Sequence, residues 1–219
     1  LFWLEVFKAL RKVHDMKRYD KPYYLSKKAS AMHSISKQMV PMQPLLDHLA
    51  SHASCIQVDF NDKEWHTHWR IPNRPGWYFF HTDAPLDVLQ RQNLWARTYF
   101  KARDRAEAKV KNIDIASYAS RYSEELAPFW NISEVYSGMA SNLQQRAKSH
   151  TFSDPGTGCL ALARYEELRA YQWTFGFILL DRFDSLTNVS LSPAQKYMLL
   201  RFGEQAWRSA NGWPLLCKD

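Results

Sequence analysis

Hydrophobic and polar positions along the 219-residue chain change period several times. Leu1, Leu4, Phe7, Leu10 and Val13 recur on one helical face and predict an amphipathic helix over residues 1–17. Residues 26–39 and 44–52 predict two more, and no glycine occurs before Gly76, which suits a helical first third. At 54–69 the period drops to two. Ile56, Val58 and Phe60 alternate with Cys55, Gln57 and Asp59, and beyond an Asn61–Asp62 turn Trp65, Thr67 and Trp69 alternate with His66 and His68, the pattern of a hairpin. The turn signal Asn73-Arg74-Pro75-Gly76 feeds an aromatic run, Trp77-Tyr78-Phe79-Phe80, short enough to be a buried strand. Residues 86–122 read as helical and 134–136 as a short strand broken at Gly138; 142–150 read as a helix capped by Ser141 or Asn142, and 159–167 as another helix. Residues 171–181 are the clearest strand, and Gly176 in its middle predicts a bulge or a close approach. Ser192, Pro193 and Gln195 supply a cap, a first-turn proline and a glutamine three after the cap, opening a helix to about residue 210 that Asn211-Gly212 closes. The fold class expected is α+β.

Composition narrows this. With 46% hydrophobic and 15% aromatic residues, the chain can bury a sizeable core, and chain-wide disorder is excluded. The length fits one large domain or one with an appended element. A net charge of +7 and a pI near 9.3 favour a polyanionic partner, nucleic acid or an anionic membrane surface. No apolar run reaches the roughly 20 residues of a membrane span. Cys55, Cys159 and Cys217 are odd in number and widely spaced, which gives neither a disulfide framework nor a zinc site and implies a reducing, intracellular location. The first residues carry Glu5 and Lys8 and lack a small-residue cleavage pattern, so they make a poor signal peptide.

Several clusters bear on chemistry. Residues 16–28 interleave Lys17, Arg18, Lys21, Lys27 and Lys28 with Tyr19, Tyr23 and Tyr24, either a nucleic-acid arm or an ordinary surface arm. The 86–122 segment carries Arg91, Arg97, Lys101, Arg103, Arg105, Lys109, Lys111 and Arg121, with Gln90, Gln92, Asn93 and Asn112 as side chains able to read base edges. Its alternative is a solvated helix pair with a few ion pairs. His66 and His68 share one side of their predicted strand, but no third metal ligand is near, which favours a hydrogen-bonded role. Arg146 and His150 are four apart on a predicted helix and point the same way. An arginine fork holds phosphate oxygens, and an imidazole exchanges a proton near neutral pH, although such pairs also simply solvate a helix face. Glu204 falls within the apolar stripe of Tyr197, Leu200 and Trp207. A buried unpaired carboxylate costs several kcal/mol, so Glu204 either pairs with Arg201 or Arg208 or turns into a site to hold a divalent metal.

Gly76-Trp77-Tyr78, Tyr136-Ser137-Gly138, Arg146 ten residues after the second tyrosine, His150, and Glu204 on a later helix together resemble the GIY-YIG nuclease superfamily, most of all its restriction endonucleases. The element order strand–strand–helix–strand–helix, at 76–81, 134–138, 142–150, 172–180 and 193–210, fits as well. The resemblance covers roughly residues 72–219. It implies a small three-stranded mixed or antiparallel sheet flanked by helices, with a basic helical insertion at 82–131, preceded by a helical and hairpin extension at 1–71 that contacts DNA. It implies metal-dependent hydrolysis of phosphodiester bonds in double-stranded DNA, of the sequence-specific restriction type. In that scheme Tyr78 deprotonates or orients the attacking water, and His150 receives the proton. Tyr136 fixes the water or a phosphate oxygen, Arg146 stabilises transition-state charge, and Glu204 holds one Mg²⁺ or Mn²⁺. Arg91, Arg97, Lys101, Arg103, Arg105, Lys109 and Lys111 would hold DNA. The family's C-terminal asparagine falls on Cys217. A palindromic target would call for a homodimer on the DNA or sequential nicking, and the resemblance implies a cytoplasmic protein, bacterial or phage-encoded, with no membrane partner. The rival readings are a non-specific nuclease of toxin or repair type with the same chemistry, an RNA-acting enzyme, and a catalytically impaired DNA-binding module.

Overall fold

The computed structural model describes residues 50–92, 113–153, 158–181 and 192–217, all within the compact unit His48–Asp219. The helices expected over 1–17 and 26–39, the arm at 16–28 and the middle of the basic segment lie outside the described residues.

The fold is α+β. Four strands, β1 (Ser54–Gln57), β2 (Gly76–Thr82), β4 (Glu134–Ala140) and β5 (Trp173–Leu179), form one antiparallel sheet in the order β1-β5-β2-β4. A two-residue strand β3 (Trp130–Asn131) pairs in parallel with β6 (Trp213–Pro214), tying the chain before β4 to the chain's last described turn. Among the described residues the α-helices are α1 (Trp65–His68), α2 (Leu86–Gln90), α3 (Ile115–Ala119), α4 (Leu143–Phe152) and α5 (Pro193–Asn211). None is long and apolar enough to cross a membrane.

The central strand β2 explains the layering. A strand sends alternate side chains to opposite faces. Tyr78 and Phe80 meet α4 through His150, whereas Trp77 and Phe79 meet α5: the Trp77 indole donates to the Leu200 carbonyl at 2.6 Å, and Phe79 stacks on Trp207. Covered on both faces, β2 reads as the continuous apolar run seen in the sequence. Partner strands make room for its aromatics with glycine. Phe79 lies over Gly176 of β5, the close approach that the glycine in that strand implied. On β4 an extra residue, Val135, sits where Phe80 pairs with Tyr136 and His81 with Glu134. Such a bulge re-aims side chains, and here Glu134 reaches Trp207 of α5.

Four expectations change. The strand expected to break at Gly138 runs through it to Ala140, with Gly138 paired to Tyr78. The sheet has four strands, because Ser54–Gln57 adds to β5 as an edge, so part of the stretch read as an N-terminal arm belongs to the sheet. The hairpin over 54–69 is absent in its second half. Asp59 and Asp62 carboxylates accept the backbone N–H groups of Asn61 and Glu64, and the chain turns into α1, which buries Trp65 against Phe175. The helix expected over 159–167 is replaced by two 3₁₀ turns, Leu162–Arg164 and Glu167–Ala170. Ala161 is left-handed there, and the Leu160 N–H is drawn off to His150.

Gly203 of α5 tests the layering. A Cβ there would lie 2.6 Å from the Trp77 indole, which its own hydrogen bond pins. Gly203→Ala gains about 1 kcal/mol of helix propensity, yet the overpacking is expected to lower net stability by about 1–3 kcal/mol in urea unfolding. A midpoint at or above wild type would show that α5 does not rest on Trp77.

Candidate active site

Tyr78 is fully buried at the centre of the sheet, its ring packed between Tyr136 at 6.2 Å and Phe175 at 5.8 Å. Its phenol passes over Gly138, the residue paired with it across β2 and β4; a Cβ at 138 would stand 2.5 Å from the Tyr78 hydroxyl. The glycine of the second motif is therefore a steric requirement of the tyrosine of the first.

Helix α4 brings two groups to that hydroxyl. Asn142 caps the helix by accepting the Gln145 N–H, which starts it at Leu143 and sets Arg146 and His150 one turn apart on the same face. Arg146 Nε donates to the Tyr78 hydroxyl at 2.8 Å. His150 Nε2 lies 3.0 Å from the same oxygen, while Nδ1 accepts the Leu160 backbone N–H at 3.1 Å. An imidazole nitrogen that accepts carries no proton, so neutral His150 is the Nε2–H tautomer and donates to Tyr78. Burial, with Arg146 beside it, holds the His150 pKa well below its usual value, so the ring stays neutral. The expectation that His150 receives the Tyr78 proton is thereby corrected: both its nitrogens are already committed. Two donors occupy the acceptor positions of the Tyr78 oxygen and leave its own proton as the group that can depart. Burial raises the Tyr78 pKa, and the adjacent Arg146 charge and hydrogen bond oppose the rise. Burial pushes the pKa of Tyr136, stacked on the Tyr78 ring, well up. Burial also works against the Arg146 charge, but the two phenols outweigh it and raise that pKa. Among the described residues, Arg146 makes no hydrogen bond beyond the one from Nε, so its two terminal nitrogens are open to an anion.

Glu204 enters from α5. Together with Tyr78, Gly138, Trp77 and Trp207 it lines a shallow cleft beside the edge strand β4. Arg208, one turn along α5, pairs with one carboxylate oxygen at 2.5 Å. The same guanidinium donates to the Ser137 hydroxyl at 2.9 Å and the Ser137 carbonyl at 2.7 Å, and lies 3.2 Å from the Cys217 sulfur. Glu204 thus pairs with Arg208 while it faces the cleft. Burial raises its pKa, against the pull of Arg208, Arg201 and Arg146. The Cys217 thiol, at the position of the expected asparagine, takes the Ser137 N–H and donates back to the Ser137 carbonyl, each at 3.2 Å. Asn211, the other residue considered for that place, bonds the Trp207 carbonyl of its own helix.

The remaining site residues separate. Arg91 is clamped by Glu167 and by Asp87 at 2.6 Å, an intramolecular cross-link between α2 and the 3₁₀ turn at Glu167. Gln90 and Gln92, considered as base readers, bond the Ala119 and Val88 carbonyls, and Gln92 also bonds Glu167. Arg121 is spent on the Leu215 and Cys217 carbonyls. Arg97, Lys101, Arg103, Arg105, Lys109 and Lys111 lie outside the described residues, as do Asn93 and Asn112. His68 bonds Asp62 at 2.6 Å and His66 stands 3.7 Å from Glu64. No group of three or more His, Cys, Asp or Glu able to hold a metal occurs among the described residues.

Sequence reasoning missed the Ser137–Arg208–Cys217 network and the buried Glu134. Only the four-residue spacing of Glu204 and Arg208 hinted at the first; the second depends on a bulge that no local pattern announces. No protein-family model matches the chain, nor does any curated protein or solved structure.

Glu134 gives the site a pH dependence. Burial raises its pKa to about 7, partly offset by the hydrogen bond from Trp207 and the Arg208 charge. The folded state therefore keeps a proton that the unfolded chain has lost between about pH 4.5 and 7, and stability falls as pH rises through that window. Glu134→Gln keeps an acceptor for the indole. It is expected to melt like wild type near pH 4 and to be more stable at pH 8, by up to about 3 kcal/mol. Parallel melting curves at both pH values would contradict this.

Proposed function

We propose that the chain is a divalent-metal-dependent endonuclease that hydrolyses phosphodiester bonds in double-stranded DNA, of the GIY-YIG kind and the restriction type. The observation that carries the reading is the convergence of Arg146 and His150 on the Tyr78 hydroxyl, with Tyr136 stacked on the Tyr78 ring and Glu204 near enough for the Arg146 charge to act on it. The motif strands β2 and β4 are adjacent and antiparallel with β5 on the other side of β2, compatible with the three-stranded core that the family resemblance implies; β1 would be an addition to it.

The chemistry follows from what each group can do where it stands. The open nitrogens of Arg146 bind two oxygens of the scissile phosphate and offset the charge that builds on them in the transition state. To act as base, Tyr78 first gives its own proton to solvent, a step that burial opposes and the Arg146 charge and hydrogen bond favour. The phenolate, held by Arg146 and by the Nε2–H of His150, takes a proton from water; that water oxygen bonds to phosphorus and the bond to the 3′ oxygen breaks. Tyr136 keeps the phenol aligned and stands beside the attacking water. Glu204 has one oxygen on Arg208 and the other without a hydrogen bond among the described residues, so a single divalent ion fits there only with water and substrate phosphate completing its shell. When bound, Mg²⁺ or Mn²⁺ supplies charge neutralisation for the phosphate and the departing oxygen.

Supercoiled plasmid and a matched RNA, each incubated with Mg²⁺, give the test. Wild type is expected to nick or linearise the plasmid in preference to the RNA, and Tyr78→Phe, Arg146→Ala and Glu204→Ala to lose on the order of 10²-fold or more in rate. Discrete fragments mark sequence-specific reading, and a smear marks a non-specific nuclease. DNA binding without cleavage would support the binding-module alternative. Wild-type-like cleavage by all three variants would remove the mechanism.

A further inference from the structure

Helix α5 does more than present Glu204. At about 100° per residue, Tyr197, Arg201, Glu204 and Arg208 fall within one sector of roughly 60°. Their exposure is graded along that stripe: Tyr197 is 52% exposed, Arg201 is exposed, Glu204 is half-buried and Arg208 is buried. The stripe therefore runs from solvent into the cleft. Arg201 stands about 5 Å along the axis from Glu204 and Tyr197 about 10 Å. Arg201 makes no hydrogen bond or ion pair among the described residues, unlike Arg91, Arg121 and Arg208, which are all bound internally. Its charge nonetheless reaches the Glu204 carboxyl, as does that of Arg146 from α4. An exposed cation without an internal partner among the described residues, one turn from Glu204 and followed one turn further out by an exposed aromatic ring, is the pairing that tracks a nucleic-acid strand: cation on phosphate, ring on base or sugar.

We infer that Arg201 and Tyr197 hold the DNA strand next to the scissile phosphate, Arg201 on the neighbouring phosphate and the Tyr197 ring against the adjoining nucleotide. The inference rests on the nuclease reading for the position of the scissile phosphate. These are positioning residues that make no contact with the reacting atoms. The arginine's contribution to binding falls as ionic strength rises, and the ring's does not.

The test uses the full chain and a fluorescein-labelled DNA duplex of about twenty base pairs, with anisotropy titrations in EDTA at several salt concentrations. Arg201→Ala is expected to weaken binding about 5–10-fold near 0.1 M salt and to reduce the slope of log Kd on log salt by about one. Arg201→Lys keeps the slope. Tyr197→Ala weakens binding several-fold with the slope unchanged, and Tyr197→Phe binds like wild type. In plasmid cleavage, Arg201→Ala and Tyr197→Ala raise KM and leave kcat within about twofold. Wild-type affinity and slope in both alanine variants would overturn the inference, as would a fall in kcat at unchanged KM. The two readings fail separately. A wild-type chain that cleaves nothing while the variants lose binding as stated ends the nuclease assignment and keeps the strand track. Active wild type with indifferent variants ends the track alone.

Discussion

A phenol oxygen with no access to bulk water, surrounded by hydrogen-bond donors, is the constraint on which the site depends. Burying a guanidinium is expensive unless its hydrogen bonds are met and its charge has a use. Arg146 is held by one nitrogen on Tyr78, and its other donors make no hydrogen bond among the described residues. His150 is held by the Leu160 backbone, so it cannot turn to accept from Tyr78 without orphaning that amide. Ala161, next to that amide, is left-handed, and the chain goes on in 3₁₀ turns rather than a helix over 159–167. Loop, helix and central strand are thus locked through one imidazole, and the tyrosine is left as an acid whose conjugate base is already solvated by protein.

The second centre, on α5, works by a different rule. Arg208 reaches the carboxylate, the edge strand and the C-terminal turn at once, so the position of Glu204 is fixed relative to Ser137 and hence to Gly138 and Tyr78. A thiol suffices at 217 because the groups it meets are backbone atoms of Ser137 and a guanidinium, which a small polarisable donor can satisfy without amide geometry. The bulge at Val135 adds the Glu134–Trp207 link on the same side. The result is that both faces of the sheet report to one edge strand, where the cleft opens.

Much of the fold was legible because its signals were local. The aromatic run at 77–80, the proline-led start of α5, the Asn142 cap and the glycine at 176 each act within a few residues, and each appears where its pattern pointed. The failures share a cause of another kind. Trp65 left its alternating strand because tertiary burial and two aspartate turns outweighed local period. The segment at 159–167 carried helix-like periodicity, but its buried side chains are held by an irregular chain. Gln90, Gln92 and Arg91 looked like a nucleic-acid face, yet each is also held by a partner 29 to 76 residues away, which no spacing rule reaches. Spacing placed Arg146 and His150 on one face. The direction of the hydrogen bond between His150 and Tyr78 was not in the spacing, because it is set by the Leu160 amide.

That direction is the most exposed point of the account. Nitrogen-15 NMR of the His150 imidazole, read through its long-range couplings to the ring protons from pH 5 to 8, measures it directly. A neutral ring protonated at Nε2 throughout the range is the predicted result. An Nδ1–H tautomer, or an imidazolium titrating near 6.5, would contradict it, because His150 would then no longer be the neutral donor that holds the Tyr78 oxygen.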